Sequence, residues 1–246
     1  MGRRKLGFWQ RFAVVLAKPV MTIWTRRTWR GEAHLRRDGG TIIVANHLSH
    51  ADPMVLAHFV YDADRWPRFL GKASVFRVPL VGGLLHRCRQ IPVERGTTEA
   101  AKSLEALVAA IDEGGAVVIY PEGTTTRHPQ LWPMRGKTGA ARLALATGAP
   151  VVPVAMWGPQ RMFDPRTGRF DPRPRIPVTV AAGPPIDLAR WQGAAPTRVV
   201  LEEMTDQIML SLRDLLAELR EETPPPLWTR PAASDRAGDQ RPGGPE

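Results

Sequence analysis

The sequence predicts an α/β domain in which a mostly parallel sheet is flanked by helices and preceded by an N-terminal helical segment. Short apolar, β-branched runs alternate with segments of helical spacing from residue 41 to residue 182, as expected for parallel strands joined by helices. The chain has 246 residues, of which 43% are apolar and 24% charged. It can therefore bury a core and is not disordered throughout.

The strands are expected where apolar runs are bounded by glycine, proline or polar residues. They lie at 41–45, 68–71, 90–93, 116–120, 151–156 and 178–181. Pro153 in the fifth run indicates an edge strand or a bulge, because proline donates no hydrogen bond to a ladder. The first helix is expected to open with Asp52 as its cap and Pro53 in its first turn. The helices are expected at 54–60, 98–113, 139–147 and 196–221.

The positive charge of the chain is concentrated near the N-terminus. The formal net charge is +10, and residues 1–37 carry +9 of it, with ten basic side chains and one acid. The same residues include two Phe and three Trp around short apolar runs, a composition typical of segments that lie in the interface of an anionic membrane. Pro19 is expected to kink or divide a helix there. The alternative is a helix that packs its apolar face on the domain and exposes its charges.

Composition divides the chain into a basic, amphipathic membrane-interface segment (1–37), an α/β domain (38–222) and a Pro/Gly-rich tail (223–246) that is expected to be disordered. The single cysteine excludes a disulfide scaffold and a multi-thiolate zinc site, and it fits a reducing compartment. No stretch approaches the roughly 18 apolar residues of a spanning helix. Arg11 and Lys18 interrupt the apolar region that a secretory signal would need.

Two predicted strands end in polar clusters, at the position where α/β sheets bind ligands. After the first, His47 and Asp52 are spaced so that the carboxylate can hold imidazole Nδ1–H and leave Nε2 free as a base. One alternative is a metal site of His47, His50 and Asp52, and another is Ser49 as a nucleophile. A third is a histidine that only caps a turn. The second cluster is the run Tyr-Pro-Glu-Gly-Thr at 120–124.

Four blocks of the sequence resemble, in order, the motifs of the lysophosphatidic acid (1-acylglycerol-3-phosphate) acyltransferases, within the glycerolipid acyltransferases. The first is the His, four residues, Asp pattern of His47 and Asp52, and the second contains Arg95 in its arginine position. The third and fourth correspond to 120–124 and 151–154, and the run 137–140 between them is also similar. Four ordered blocks at plausible spacing are specific, although each alone is weak.

The resemblance implies the glycerolipid acyltransferase fold and transfer of an acyl group from acyl-CoA or acyl-carrier protein to 1-acyl-sn-glycerol 3-phosphate, giving phosphatidic acid. It implies no cofactor and no metal. His47 would be the general base and Asp52 its orienting partner. The implied binding residues for phosphate and acceptor are Arg95, Lys72, Glu122, Gly123 and Thr124.

The implied partners are a lipid acceptor, an acyl donor and an anionic membrane surface, with no nucleic acid. The expected location is the cytoplasmic face of the plasma membrane, with the protein bound peripherally or monotopically. Thr125 stands where the third motif usually has arginine, and Arg127 follows two residues later, so another lysolipid or lipid alcohol remains an alternative acceptor. A hydrolase that uses His47 to activate water is a second alternative. A basic nucleic-acid-binding protein is a remote one, since such proteins spread charge over a folded face.

Overall fold

The computed structural model describes residues 6–93 and 99–228 of the chain, and within them it contains eight helices and seven strands. The helices are α1 (Phe8–Trp24), α2 (Asp52–Asp62), α3 (Ala73–Phe76), α4 (Val81–Arg87), α5 (Glu99–Asp112), α6 (Gly139–Thr147), α7 (Pro159–Met162) and α8 (Arg198–Arg220). The strands are β1 (Thr25–Arg30), β2 (Thr41–Ala45), β3 (Pro67–Lys72), β4 (Ile91–Val93), β5 (Ala116–Ile119), β6 (Val151–Trp157) and β7 (Ile176–Ala182).

The seven strands form a single sheet in the order β1-β7-β6-β2-β5-β3-β4. The five strands from β6 to β4 run parallel to one another, β7 is antiparallel to β6, and β1 is parallel to β7. The predicted mostly parallel α/β fold is therefore confirmed. The carboxyl ends of β2, β3, β4, β5 and β6 all lie at one edge of the sheet, and this edge positions the candidate site.

Alternating side chains of the central strands build two cores, one on each face of the sheet. In β2, Ile43 and Ala45 pack into the core shared with α1 and α2, whereas Ile42 and Val44 pack into the core shared with α5, α6 and α8. All five residues of β2 are buried. Burial on both faces explains why its sequence is a continuous apolar run rather than an alternation.

Pro153 lies in an interior strand, so the expectation of an edge strand at this proline is wrong. β6 is paired on both sides, with β2 and with β7. The Pro153 carbonyl accepts a hydrogen bond from Gly183 N–H at 2.9 Å, and the ladder with β7 begins one residue later, at Val154 and Ala182. The missing N–H therefore falls where β7 has already ended, and no ladder bond is lost.

The basic segment at the N-terminus contains two different elements. α1 is one helix that runs through Pro19, so the proline does not divide it. Thr25–Arg30 then forms β1, an edge strand that the sequence analysis did not predict. Its inward side chains are bound to the domain: Trp29 Nε1 donates to Asp62 at 3.0 Å, and Arg27 lies 2.9 Å from His58 Nε2.

The described chain continues past residue 222 as far as Trp228. The Trp228 carbonyl accepts a hydrogen bond from Arg135 N–H at 3.0 Å, and its ring contacts His128. This stretch of the predicted tail therefore lies against the domain. The remainder of the predicted tail, 229–246, and residues 1–5 of the predicted N-terminal segment lie outside the described residues.

Candidate active site

Two loops meet at the sheet edge where the parallel strands end. One follows β2, the other follows β5, and Thr126 N–H joins them by donating to the His47 carbonyl at 2.7 Å. Asn46 fixes the first loop to the neighbouring strand. Its buried side-chain amide donates to the Met156 carbonyl at 3.0 Å and accepts from the Met156 N–H at 2.8 Å.

His47 and Asp52 form a hydrogen-bonded pair across the first loop. Nδ1 of His47 lies 2.8 Å from Oδ2 of Asp52. The carboxylate is fully buried, whereas the imidazole side chain retains 16% of its exposure. Among the described residues, none is hydrogen-bonded to Nε2 of His47, so the nitrogen opposite the carboxylate is available to a substrate.

Asp52 does not cap α2, contrary to the sequence expectation. The cap position belongs to Ala51, and Asp52 is the first helical residue. Its Oδ2 turns back into the loop and accepts the N–H groups of Leu48 and Ser49 at 2.6 and 2.9 Å. Burial raises the pKa of the Asp52 carboxyl, and the hydrogen bond from His47 opposes that rise. The loop is thus folded around the carboxylate that orients His47.

Tyr120 supports the imidazole from the second loop. The two rings are stacked with centroids 4.3 Å apart and planes 20° from parallel. Burial raises the pKa of Tyr120 well above its ordinary value, so the phenol is neutral. This contact joins residues 73 positions apart in the chain, so no local sequence pattern indicates it.

Glu122 holds the two loops together by accepting two backbone hydrogen bonds. Oε1 accepts from His47 N–H and Oε2 from Met134 N–H, each at 3.1 Å. The residue is buried, and burial raises its pKa to about 8. Both carboxyl oxygens are therefore engaged by backbone amides of the two loops.

Gly123 and Lys137 lie against one another beside this loop. The glycine has a φ of +70°, and a Cβ on it would stand 3.0 Å from Lys137 Nζ. Lys137 N–H donates to the Pro121 carbonyl at 2.8 Å, which holds the lysine at the third motif. Thr124 and Arg127 are exposed. Lys137 is a cation at the site that the sequence analysis did not select, because only the fold brings it to Gly123.

The structure contradicts the two alternative chemistries for the first loop. Ser49 Oγ donates to the Phe163 carbonyl at 2.6 Å and accepts from Ala51 N–H, so it is tied to the backbone rather than positioned as a nucleophile. The His50 ring contacts Phe163 and does not join His47 and Asp52. Within residues 6–93 and 99–228, no cluster of three His, Cys, Asp or Glu side chains has the arrangement of a metal site.

Of the two cations selected from sequence, the structure describes only Lys72. Lys72 is the last residue of β3, is exposed, and pairs in register with Val93 of β4. The chain then leads to Arg95, which lies outside the described residues. Their roles at the acceptor site remain predictions.

An apolar cavity of about 340 Å³ opens next to the start of α2. Pro53 and Met54, which directly follow Asp52 in the chain, form part of its lining. The rest of the lining comes mainly from the inward faces of α1 and α4 and from residues beneath them: Ala13, Val14, Ala17, Met21, Ala57, Phe69, Leu84 and Leu85. The cavity can accept an alkyl chain close to the His47 pair.

The outward face of α1 is apolar. Its exposed residues include Phe8, Phe12, Val15, Leu16, Val20 and Ile23. At 100° per residue these positions share one side of the helix, opposite the side that packs on the domain. α1 therefore packs one apolar side on the domain and exposes a second apolar side, which the alternative of a helix that only packs on the domain does not explain. No helix in the described part of the chain has the length and apolarity needed to cross a bilayer.

Comparisons with known proteins agree with the fold. Residues 26–157 match the family model described as Acyltransferase. A protein named 1-acyl-sn-glycerol-3-phosphate acyltransferase from Limnanthes douglasii is 32% identical over 66% of this chain, and one of the same name from Borreliella burgdorferi is 28% identical over 54%. The chain spans 55% and 52% of the lengths of those relatives.

The crystal structure of the 1-acyl-sn-glycerophosphate acyltransferase of Thermotoga maritima superimposes with a TM-score of 0.63 at 20% identity. The match covers 90% of this chain and 81% of the other. At that identity the match concerns the fold, which the two chains share.

Proposed function

The chain belongs to the acyltransferase family, and from this premise we propose that it transfers a fatty acyl group from a thioester to the free hydroxyl of 1-acyl-sn-glycerol 3-phosphate. The product would be phosphatidic acid. The observation that carries the proposal is the His47–Asp52 pair at the sheet edge, and Pro53 and Met54, which directly follow Asp52, line the apolar cavity. A base next to an alkyl-binding space is what acyl transfer to an alcohol requires.

In the proposed reaction, Nε2 of His47 takes the proton of the acceptor hydroxyl as its oxygen attacks the thioester carbonyl carbon. The carbon–sulfur bond of the tetrahedral intermediate then breaks, and the thiolate leaves with the proton from His47. Asp52 stabilises the imidazolium between these steps through its 2.8 Å hydrogen bond. No acyl-enzyme forms, which is consistent with the engagement of Ser49 by the backbone.

Recognition of the acceptor phosphate is assigned to cations around the same edge. Lys137 at Gly123 and Lys72 at the end of β3 are the described candidates, and Arg95 is the candidate from sequence. Arginine and lysine both bind phosphate oxygens, the former with two parallel hydrogen bonds. Thr125 in place of the usual arginine keeps another lysolipid or a lipid alcohol as the second candidate acceptor.

The donor is proposed to be acyl-CoA or acyl-carrier protein, with its acyl chain in the cavity between α1, α2 and α4. Enzyme and lipid would meet at a membrane surface through the apolar outward face of α1, and anionic lipids would attract the flanking basic residues. The proposed location is the cytoplasmic face of the plasma membrane, with α1 lying in the interface.

The test is an acceptor panel with the purified full chain and labelled acyl-CoA or acyl-carrier protein. The panel contains 1-acylglycerol 3-phosphate, lysophosphatidylcholine and uncharged 1-acylglycerol, and mass spectrometry identifies the product. Acyl transfer to 1-acylglycerol 3-phosphate supports the proposal. Preference for an uncharged acceptor would instead support the alternative, a lipid alcohol as the acceptor. Release of free fatty acid independent of any acceptor would overturn acyl transfer in favour of hydrolysis.

His47→Ala is expected to reduce turnover by at least about 100-fold, the lower range for loss of a general base. His50→Ala is the matched control, because His50 is exposed in the same loop and does not contact the pair. Circular dichroism of both variants verifies the fold. Near-normal turnover in a folded His47→Ala protein would refute the mechanism.

A further inference from the structure

The segment between β3 and β4 displays a group of aliphatic side chains to solvent. Val75, Val78 and Val81 retain 42%, 46% and 46% of their exposure, and Leu80 retains 92%. These residues lie within seven positions of one another and follow the carboxyl end of β3. We call them the 75–81 tip. Single exposed aliphatics are ordinary, but a cluster of this kind marks an interaction surface.

The tip is held in place by tight packing at its base. A Cβ on Gly82 would stand 1.8 Å from the Phe76 carbonyl oxygen, and one on Gly71 would stand 2.8 Å from the Phe76 ring. Leu80 has a φ of +67° and a ψ of −51°, and Val81 N–H donates to the Pro79 carbonyl at 2.8 Å, so Leu80 is the central residue of a rare, strained γ-turn. This turn presents a leucine that is 92% exposed.

The tip and α1 belong to the same side of the molecule. α4, which follows the tip directly, packs on α1: the Arg87 guanidinium lies 4.8 Å from the Trp9 ring, and Cys88 Sγ contacts the Trp9 carbonyl. The apolar cavity lies between α4 and α1, since Leu84 and Leu85 line it from one side and α1 from the other, and the tip is the segment that leads into α4.

The charge of both elements has one sign. Residues 6–31 contain five basic side chains and no acid, and residues 66–93 likewise contain five and no acid. Three of the ten form ion pairs with carboxylates outside these segments, Lys18 with Asp62 and both Arg68 and Arg89 with Glu113. The other seven are Arg11, Arg26, Arg27, Arg30, Lys72, Arg77 and Arg87. An aliphatic tip in such surroundings complements an anionic lipid surface and repels a second copy of itself.

We propose that the 75–81 tip is a second membrane-inserting element, which buries Leu80 among acyl chains while α1 lies in the interface. The two elements would flank the apolar cavity, so that a lipid chain passes from bilayer to cavity between them without crossing water. This inference rests on the proposed membrane-bound acyl transfer, and it adds the element that inserts on the other side of the cavity.

The test places a polarity-sensitive fluorophore at single cysteines in a Cys88→Ala background, because Cys88 is the one cysteine of the chain. Leu80→Cys reports on the tip and Leu16→Cys on α1. Val199→Cys is the control, since Val199 is 63% exposed on α8. With phosphatidylcholine–phosphatidylglycerol vesicles, the labels at 80 and 16 should shift to the blue and be quenched by lipids with brominated chains, whereas the label at 199 should not respond.

Leu80→Asn supplies an independent measurement. Leu80 is 92% exposed, so its replacement removes little packing and the variant should keep the stability of the original chain, yet it should bind vesicles about tenfold to 100-fold more weakly because a leucine is no longer buried in lipid. Acyl transfer to a short-chain, water-soluble acceptor should be unchanged. A label at 80 that stays in water while the label at 16 enters the bilayer would overturn the inference and leave the proposed function intact. Concentration-dependent burial of position 80 without vesicles would overturn it in favour of self-association.

Discussion

Replacing Glu122 with glutamine should remove one step from the pH dependence of stability. Burial raises the pKa of Glu122 to about 8, above the ordinary value of 4.5. Between these values the folded chain keeps a proton that the unfolded chain has lost. The folded state then binds more protons, so the free energy of unfolding falls as pH rises and is lowest above the folded pKa.

The size of the step follows from the pKa of Glu122, once the contribution of His58 is separated from it. A full proton difference changes the free energy of unfolding by about 1.4 kcal/mol per pH unit. Burial lowers the pKa of His58 to about 4, from 6.5, so His58 contributes the opposite slope below pH 6.5. Burial also raises the pKa of Asp52, so the step that belongs to Glu122 is the difference between the original chain and Glu122→Gln. From pH 6.5 to 8, the stability of the original chain should fall by about 2 kcal/mol more than that of the variant.

Urea unfolding followed by tryptophan fluorescence at several pH values across this interval measures the step. In Glu122→Gln the amide oxygen can still accept one backbone N–H, but the amide nitrogen faces the other, which costs about 1–3 kcal/mol at every pH. At pH 6.5 the variant should therefore be less stable than the original chain. Between pH 6.5 and 8, its free energy of unfolding should lack the decrease that the Glu122 carboxyl causes. Glu218→Gln, on the exposed side of α8, is the control and should keep the original pH dependence. Parallel curves for the original chain and Glu122→Gln would refute the raised pKa.

Three further substitutions test the surroundings of the site. Asn46→Ala removes both hydrogen bonds to the buried Met156 backbone and should lower the free energy of unfolding by about 2–4 kcal/mol, which an unchanged denaturation midpoint would contradict. Gly123→Ala places a Cβ against Lys137 at a residue with positive φ, so the free energy of unfolding should fall by about 1–2 kcal/mol. The KM for a phosphate-bearing acceptor should also rise. Equal KM values for the variant and the original chain would show that this contact does not take part in acceptor binding. Ser49→Ala should keep its turnover within about tenfold, since its hydroxyl serves a backbone carbonyl, and a loss typical of a missing nucleophile would contradict that role.

Central strands buried on both faces and helices with a regular apolar stripe, such as α8, could be predicted from the sequence. Thr41–Ala45 is buried on both faces, so its apolar run reports a central strand directly. β1 could not be recognised in this way, because an edge strand exposes one face and the arginines of Thr25–Arg30 masked the alternation. Pro153 misled the prediction because its effect depends on where the neighbouring strand ends, which is a tertiary property.

The same distinction applies to the site. His47 and Asp52 are five residues apart, and their contact was predictable from that spacing. Glu122 accepts from amides 75 and 12 residues away, and no local pattern encodes such a pairing. Lys137 reaches Gly123 only because the loop after β5 folds back on itself. Sequence therefore indicated the chemical groups, whereas the fold decided which backbone amides and cations surround them.

α1 ends at Trp24 and β1 begins at Thr25, so no linker separates the helix from the sheet. Trp24 Nε1 also donates to the Asp171 carbonyl at 2.8 Å, at the same junction. The angle between helix axis and strands is thus set by the fold and not by a flexible tether. For a chain bound through α1, a change in the tilt of the helix would rotate the His47 edge by the same angle. The turnover rate would then depend on the curvature and packing density of the lipid surface as well as on substrate concentration.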